Sequence, residues 1–242
     1  MRPADREESD RELADNDAPP PPAGTPPPHG PVRRIVLASR NPGKVREIRQ
    51  VLGELPVRVV PLGPAGRAEE PLEEGSTFAE NARHKALYYA RLTGQWCLAD
   101  DSGLVVDALD GAPGVHSARY AEEGLAPGAD RRARDAANIA KLLAALAETA
   151  DEQRTARFVC HLALADPQRI LLEASGAVEG RIVRRPRGSN GFGYDPVFLV
   201  PEDGRTAAEM SPGEKNAISH RGKAVRSFAR RLRRFLADRA GS

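Results

Sequence analysis

Apolar positions along the chain switch between a period of two and a period near 3.6, and the switches outline its elements. Residues 32–38 (VRRIVLA) are β-branched and apolar at their centre, which predicts a buried strand. Val45, Ile48 and Leu52 then recur at helical spacing, behind Asn41 as a suitable N-cap and Pro42 at the first helical position. Residues 55–61 predict a second strand. Thr77-Phe78-Ala79-Glu80 has the form of a capping box and opens a helix through about Ala90. Strand 96–99 (WCLA) is expected to end in Asp100-Asp101-Ser102-Gly103. A Gly- and Pro-rich loop (DGAPGVHSARY) follows, then an amphipathic helix over 130–148. Residues 156–165 and 170–178 read as a hairpin around Asp166-Pro167; a loop over 187–196 precedes strand 197–200, and a last helix spans about 220–237. No internal repeat is present. Strands and helices alternate without a strict βαβ rhythm, so the pattern predicts one α/β domain with a mixed sheet.

Composition changes this picture at one end only. Residues 1–31 hold three arginines against seven carboxylates and nine of the 21 prolines. That acidic, Pro-rich segment has almost nothing to bury and is expected to stay disordered, leaving 32–242 as the folded domain. It lacks the apolar core of a secretory signal, and the chain contains no run of about 18 apolar residues, so no membrane span is expected. Two cysteines, Cys97 and Cys160, are too few for a disulfide framework, which makes a reducing, cytoplasmic setting the default. The segment 221–242 carries eight Lys/Arg and one Asp, but Val225, Phe228, Leu232, Phe235 and Leu236 form an apolar stripe. An amphipathic helix docked on the domain explains it more simply than nucleic-acid binding.

Five segments have residues suited to chemistry. Ser39 to Lys44 lies at a helix start, where free N–H groups and the positive dipole end suit a phosphate; a plain capped helix with an exposed lysine is the alternative. Asp100 and Asp101, as neighbours on a strand, point to opposite faces and so have different jobs; one can hold Mg²⁺ or orient water while the other braces the loop. Glu73 and Glu74 could add hard oxygen ligands or form a solvated face. Thr77, Asn81 and Lys85 recur on one stripe of the following helix, from which Lys85 either reaches a phosphate or stays on the surface. Gly191 and Gly193 flank Phe192, leaving an aromatic face for a base to stack on. Lys215, Asn216, Ser219, His220 and Arg221 concentrate donors at the start of the last helix.

Together these segments resemble the non-standard purine nucleoside triphosphate pyrophosphatases, the inosine triphosphatase family. The resemblance runs in order through SRNPGK (39–44), TFAENARHKA (77–86), LADDSGLVVDALDGAPGVHSARYA (98–121), GFGYDPVF (191–198) and EKNAISHRGKA (214–224). It implies a long mixed sheet with two lobes flanking a central active-site cleft, a homodimer, and Mg²⁺-dependent hydrolysis of dITP, ITP and XTP to the monophosphate and pyrophosphate. It implies triphosphate contacts at Ser39, Arg40, Asn41, Pro42, Gly43, Lys44 and Lys85. Glu73 and Asp101 correspond to metal ligands, and Asp101 also to the catalytic base. Ser102, Phe192, Gly193, Tyr194, Asp195, Lys215, His220 and Arg221 correspond to the remaining substrate contacts. His220 and Arg221, as donors, would favour a purine with oxygen at position 6 over one with an amino group. The 31-residue extension and the stretch after Tyr120 (AEEGLAPGADRRARD) depart from the family pattern.

Because residues 1–31 lack core-forming side chains, their deletion is expected to leave kcat/KM and the thermal midpoint nearly unchanged. A large fall in the melting temperature of the truncated protein would contradict that.

Overall fold

A computed structural model of the chain describes residues 32–39, 42–53, 55–63, 70–126 and 128–240. The disorder expected of residues 1–31, and the roles expected of Arg40 and Asn41, lie outside the described residues. Among the described residues seven strands form one mixed sheet in the order β2-β1-β3-β4-β5-β6-β7. Strand β1 (Arg33–Ala38) pairs in parallel with β2 (Val57–Pro61) and β3 (Trp96–Val106). From β3 onward pairing is antiparallel, through β4 (Thr155–Ala165), β5 (Ile170–Ile182), β6 (Phe198–Val200) and β7 (Arg205–Thr206). The α/β class with a mixed sheet is as the pattern predicts.

The main departure lies in β3. The strand does not stop at Asp100; it continues through Asp100-Asp101-Ser102-Gly103 to Val106, each residue in register with β4. Two carboxylates and a glycine are poor strand formers, but pairing along a long neighbour overrides local preference. The second hairpin strand likewise runs to Ile182 rather than 178, because its far half pairs with β4 down to Thr155. The loop after β3 contains three short 3₁₀ turns, Asp107–Leu109, Gly114–Arg119 and Glu122–Gly124.

Side chains alternate across β3 and so divide the core. Trp96 and Leu98 pack with Ile48 and Leu52 of α1 (Pro42–Leu52) and with Val225, Phe228 and Leu232 of the C-terminal helix. Cys97 and Ala99 face the other way, toward α2 (Phe78–Thr93). That helix starts at the expected capping box, in which Thr77 Oγ1 accepts from the Glu80 amide at 3.1 Å. It buries Ala82, Ala86 and Ala90 against Ala99, Ala163 and Ala165, a small-on-small contact that lets the helix backbone approach the sheet closely. A third cluster lies toward the end of β3, where Leu142 and Leu146 from and just after α3 (Arg131–Ala145) meet Leu104, Phe158 and Phe198.

The last helix forms where it is expected, and a further short helix that the pattern does not predict precedes it. A short α4 (Pro212–Ile218) holds Lys215 and Asn216, and α5 (His220–Ala240) starts anew with His220. Ser211 caps α4 through a capping box that the hydrophobic pattern did not signal. Ser219, extended at φ −63° and ψ 153°, separates the helices. The buried stripe Val225, Phe228 and Leu232 docks α5 on the sheet, each side chain worth about 1.5–3 kcal/mol of burial. No described helix is long and apolar enough to cross a membrane.

The first turn of α5 sits directly on β5, at Gly176. A Cβ there would lie 2.4 Å from the His220 carbonyl oxygen and 2.6 Å from the Ala224 nitrogen, both backbone atoms. Gly176→Ala is therefore expected to cost about 1–3 kcal/mol, as overpacking does. Urea unfolding would measure it; a neutral result would mean that the helix start slides freely on the strand.

Candidate active site

Alternation along β3 puts Asp101 on the face of α2 and Asp100, with Ser102, on the face of α1 and α5. Both aspartates are buried, at 7% and 2% exposure, so each must be compensated or pay for its charge. The structure compensates them differently. Asp101 Oδ1 accepts the Ser102 amide at 3.0 Å, but its buried Oδ2 has no hydrogen-bond partner among the described residues. Burial and the neighbouring Glu73 push its carboxyl up to about 6, against the pull of Lys44, Asn81 and Lys85.

Helix α2 brings the balancing cation. Lys85, one turn beyond Asn81, is buried rather than on the surface and binds the Glu73 carboxylate, with Glu70 3.4 Å away. Glu73 also receives Arg119, which reaches its Oε2 at 3.3 Å and its backbone oxygen at 3.2 Å. Burial alone would raise the Glu73 carboxyl; Lys85, Arg119 and Lys44 outweigh it and hold it below its ordinary value. Glu74 is exposed and belongs to the solvated face.

On the opposite face Lys44 Nζ lies 3.0 Å from Asp100 Oδ2, and Arg221 Nε lies 3.3 Å from the same oxygen. Against the cost of burial, these two cations hold the Asp100 carboxyl well below the carboxylate range. His220, before Arg221, stacks on Phe158 with ring centroids 4.9 Å apart and planes at 16°. Burial, with Arg221 and Lys215 beside it, lowers its imidazole well below the usual value, so it is neutral and keeps one N–H to donate.

The aromatic loop closes the remaining side. Asp195 Oδ2 accepts the Phe192 amide at 2.8 Å and binds Lys215. Gly191 has φ +79°, and a Cβ there would meet Asp195 Oδ2 at 2.1 Å, so the turn requires glycine. From α3, Asp135 Oδ2 accepts the Gly193 amide at 2.8 Å, and the Arg131 guanidinium carbon stands 4.5 Å from the Phe192 ring centroid. Lys215 Nζ lies 4.7 Å from the same centroid. Tyr194 turns into the core, its hydroxyl donating to the Ser117 carbonyl at 2.9 Å.

These groups line one cavity of about 680 Å³, a size suited to a nucleotide-sized ligand. Ser39, Lys44, Glu73, Lys85, Asp101, Ser102, Phe192, Gly193, Tyr194, Asp195, Lys215, His220 and Arg221 all contribute to its wall. Of the remaining sequence candidates, Arg40 and Asn41 lie outside the described residues, as do the surroundings of Pro42 and Gly43. Asp100, Arg119, Arg131 and Asp135 also line the cavity and were assigned no binding role from sequence. Asp100 had a signal, as half of an adjacent carboxylate pair; Arg131 and Asp135 fall in the divergent stretch after Tyr120.

Residues 35–231 match the Ham1 family over their whole length. The chain belongs to the Ham1 family. A protein of Exiguobacterium sibiricum named dITP/XTP pyrophosphatase is 49% identical over 205 residues, covering 85% of this chain and 100% of its own. One of Geobacillus kaustophilus with the same name is 51% identical, over 80% of this chain and 91% of its own. A HAM1 protein from Coxiella burnetii superposes with a TM-score of 0.73 at 45% identity, covering 83% of this chain and 98% of that one. A Mycobacterium abscessus structure described as nucleoside-triphosphatase / dITP/XTP pyrophosphatase gives 0.66 at 46% identity, over 81% and 98%.

In this Ham1-family chain the donor set fits a hard divalent cation. Asp101 offers a buried oxygen without a partner, and Glu73 is the carboxylate beside it. Glu73 already carries Lys85 and Arg119, so it would bind an ion only by sharing or exchanging one of them. No three His, Cys, Asp or Glu converge among the described residues, so an ion held here would complete its shell with oxygens from outside the protein.

The Asp101 carboxyl, raised from 3.8 to about 6, carries a stability consequence in metal-free protein. The folded state binds the proton more tightly than the unfolded state does, so the contribution is favourable at low pH and is lost as pH rises from about 4 through 6. Asp101→Asn should therefore stabilise the metal-free protein at pH 7.5 by roughly 2–3 kcal/mol, with the gain shrinking toward pH 4. Chemical denaturation in chelator at both pH values measures this; a gain independent of pH would show that Asp101 is not the titrating group.

Proposed function

We propose that this Ham1-family chain hydrolyses non-standard purine nucleoside triphosphates (dITP, ITP and XTP) to the monophosphate and pyrophosphate. Residues 32–242 carry the activity, which would remove such nucleotides from the cytoplasmic pool, and the chain acts as a homodimer. The observation that carries the reading is Asp101, with a buried oxygen unpartnered among the described residues, on the wall of a cavity that also carries Lys44 and Lys85. The names of the relatives, half identical over most of the chain, support the same substrate class.

In this reading the start of α1, with Lys44 and Lys85, receives the triphosphate. Both ammonium groups already stand on the cavity wall, paired with Asp100 and Glu73, and the anion would share them with those carboxylates. Asp101, on the cavity wall with one carboxylate oxygen unpaired among the described residues, takes the proton of a water that attacks the α-phosphorus. A new P–O bond forms to the water oxygen as the bond to the bridging oxygen breaks, and the electron pair leaves with pyrophosphate. Mg²⁺, held by Asp101 and Glu73, would supply charge neutralisation on the phosphate oxygens.

The base lies toward Phe192, His220 and Arg221. Neutral His220 and the guanidinium of Arg221 present donors to an oxygen at position 6, and an amino group there would face them unpaired. A buried mismatch of that kind costs roughly 1–3 kcal/mol per group, about 5- to 150-fold in selectivity. Guanine carries the same oxygen, so its rejection rests on the 2-amino group.

A panel of nucleoside triphosphates assayed with Mg²⁺, scoring pyrophosphate against orthophosphate, tests the reading. ITP, dITP and XTP should give pyrophosphate and run well ahead of ATP and GTP. Asp101→Asn should lower kcat at least ~10²-fold with the fold retained. Orthophosphate as first product, or near-normal turnover in that variant, would overturn it.

A further inference from the structure

The cations expected at opposite ends of the substrate meet on one oxygen. Lys44 comes from α1 and Arg221 from α5, two helices on the same face of the sheet, yet both contact Asp100 Oδ2, at 3.0 and 3.3 Å. Arg221 also donates to Ser102 Oγ at 2.9 Å, and that hydroxyl stands 3.4 Å from Asp100 Oδ2. Asp100 and Arg221 are buried, whereas the Lys44 side chain keeps 19% exposure on the cavity wall. Charges so placed, away from water, are weakly screened, and the position of each depends on the other.

We propose that Asp100 is a positioning residue that couples the phosphate end of the site to its base end, so that the preference among purine bases depends on Lys44. The proposal rests on the reading above, with phosphates at Lys44 and the base toward Arg221. One carboxylate oxygen divides its attraction between two cations. With Lys44 kept beside Asp100 while it also meets the triphosphate, the guanidinium is held less tightly and can lean to a base oxygen. With Lys44 removed, more of the carboxylate's attraction falls on Arg221 and holds it against the sheet. A purine that needs the guanidinium then loses more than one that does not.

Lys44→Met is accordingly expected to lower kcat/KM for both ITP and ATP and, beyond that, to reduce the ITP/ATP ratio about fivefold or more. In an Asp100→Asn background the same substitution should leave the ratio within about twofold of its parent, because no shared charge remains to be redistributed. A member of the fold's framework with no positioning role would change stability, or both rates together, and leave the ratio alone. Should Asp100→Asn fail to fold, Arg221→Met replaces it: with the guanidinium gone, Lys44→Met should no longer move the ratio. The experiment uses the full chain with Mg²⁺, measuring kcat and KM from pyrophosphate release. A ratio unmoved by Lys44→Met in the native background overturns the coupling while the functional reading stands. A ratio that still falls fivefold in the Asp100→Asn or Arg221→Met background also overturns it, since the effect would not pass through the shared carboxylate. Wild-type protein that releases pyrophosphate from neither nucleotide overturns both.

Discussion

Burying two adjacent carboxylates in the middle of a strand sets the terms for most of this structure. An ionised carboxylate out of water costs several kcal/mol unless something answers its charge, and consecutive strand residues cannot share one answer because they face opposite sides of the sheet. Asp100 is answered from α1 and α5, by Lys44 and Arg221. Asp101 is left with one oxygen unpaired, while the cation nearest its face, Lys85 of α2, is taken up by Glu73. The first arrangement is a closed ion cluster. The second leaves one oxygen unpaired among the described residues, on the wall of a cavity whose lining also carries Lys44 and Lys85.

The packing around β3 serves this division. Alanines on α2 and on the facing strands let that helix lie close enough for Lys85 to work at the sheet surface while buried. On the other face Gly176 lets the first turn of α5 touch β5, which places His220 and Arg221 at the cavity rather than above it. The break at Ser219 serves the same end: α4 carries Lys215 to Asp195 and the aromatic loop, and α5 carries Arg221 to Asp100. A single continuous helix could not aim both. Charge and shape thus converge from three helices onto one strand, and the cavity is the space they leave.

Much of this was legible in the residues themselves. The capping box at Thr77, the apolar stripe of α5 and the order of strands and helices follow from local rules that act within a few residues, so they can be read before any tertiary contact forms. The segments bearing Lys44, Lys85, Asp101, Phe192 and Arg221 were recognisable because binding chemistry needs particular side chains at particular spacings. The opposite facing of Asp100 and Asp101 followed from strand geometry alone.

What local rules could not decide was anything requiring a distant partner. Asp100 to Gly103 read as the end of a strand because carboxylates and glycine disfavour β structure; the ladder with Leu162 to Val159 of β4 made them its middle. Lys85 could be read as a phosphate contact or a surface lysine, and its buried place depends on Glu73 and Glu70, 12 and 15 residues earlier in the chain. Arg119, Arg131 and Asp135 carried no signal because each acts on a residue 46 or more positions away, and nothing in a single sequence records that distance. The meeting of Lys44 and Arg221 on Asp100 is the extreme case. Sequence determined which charges this chain would have to bury or expose; the tertiary structure alone decided which charge answers which, because pairing in a low-dielectric interior depends on ångströms in space and not on separation along the chain.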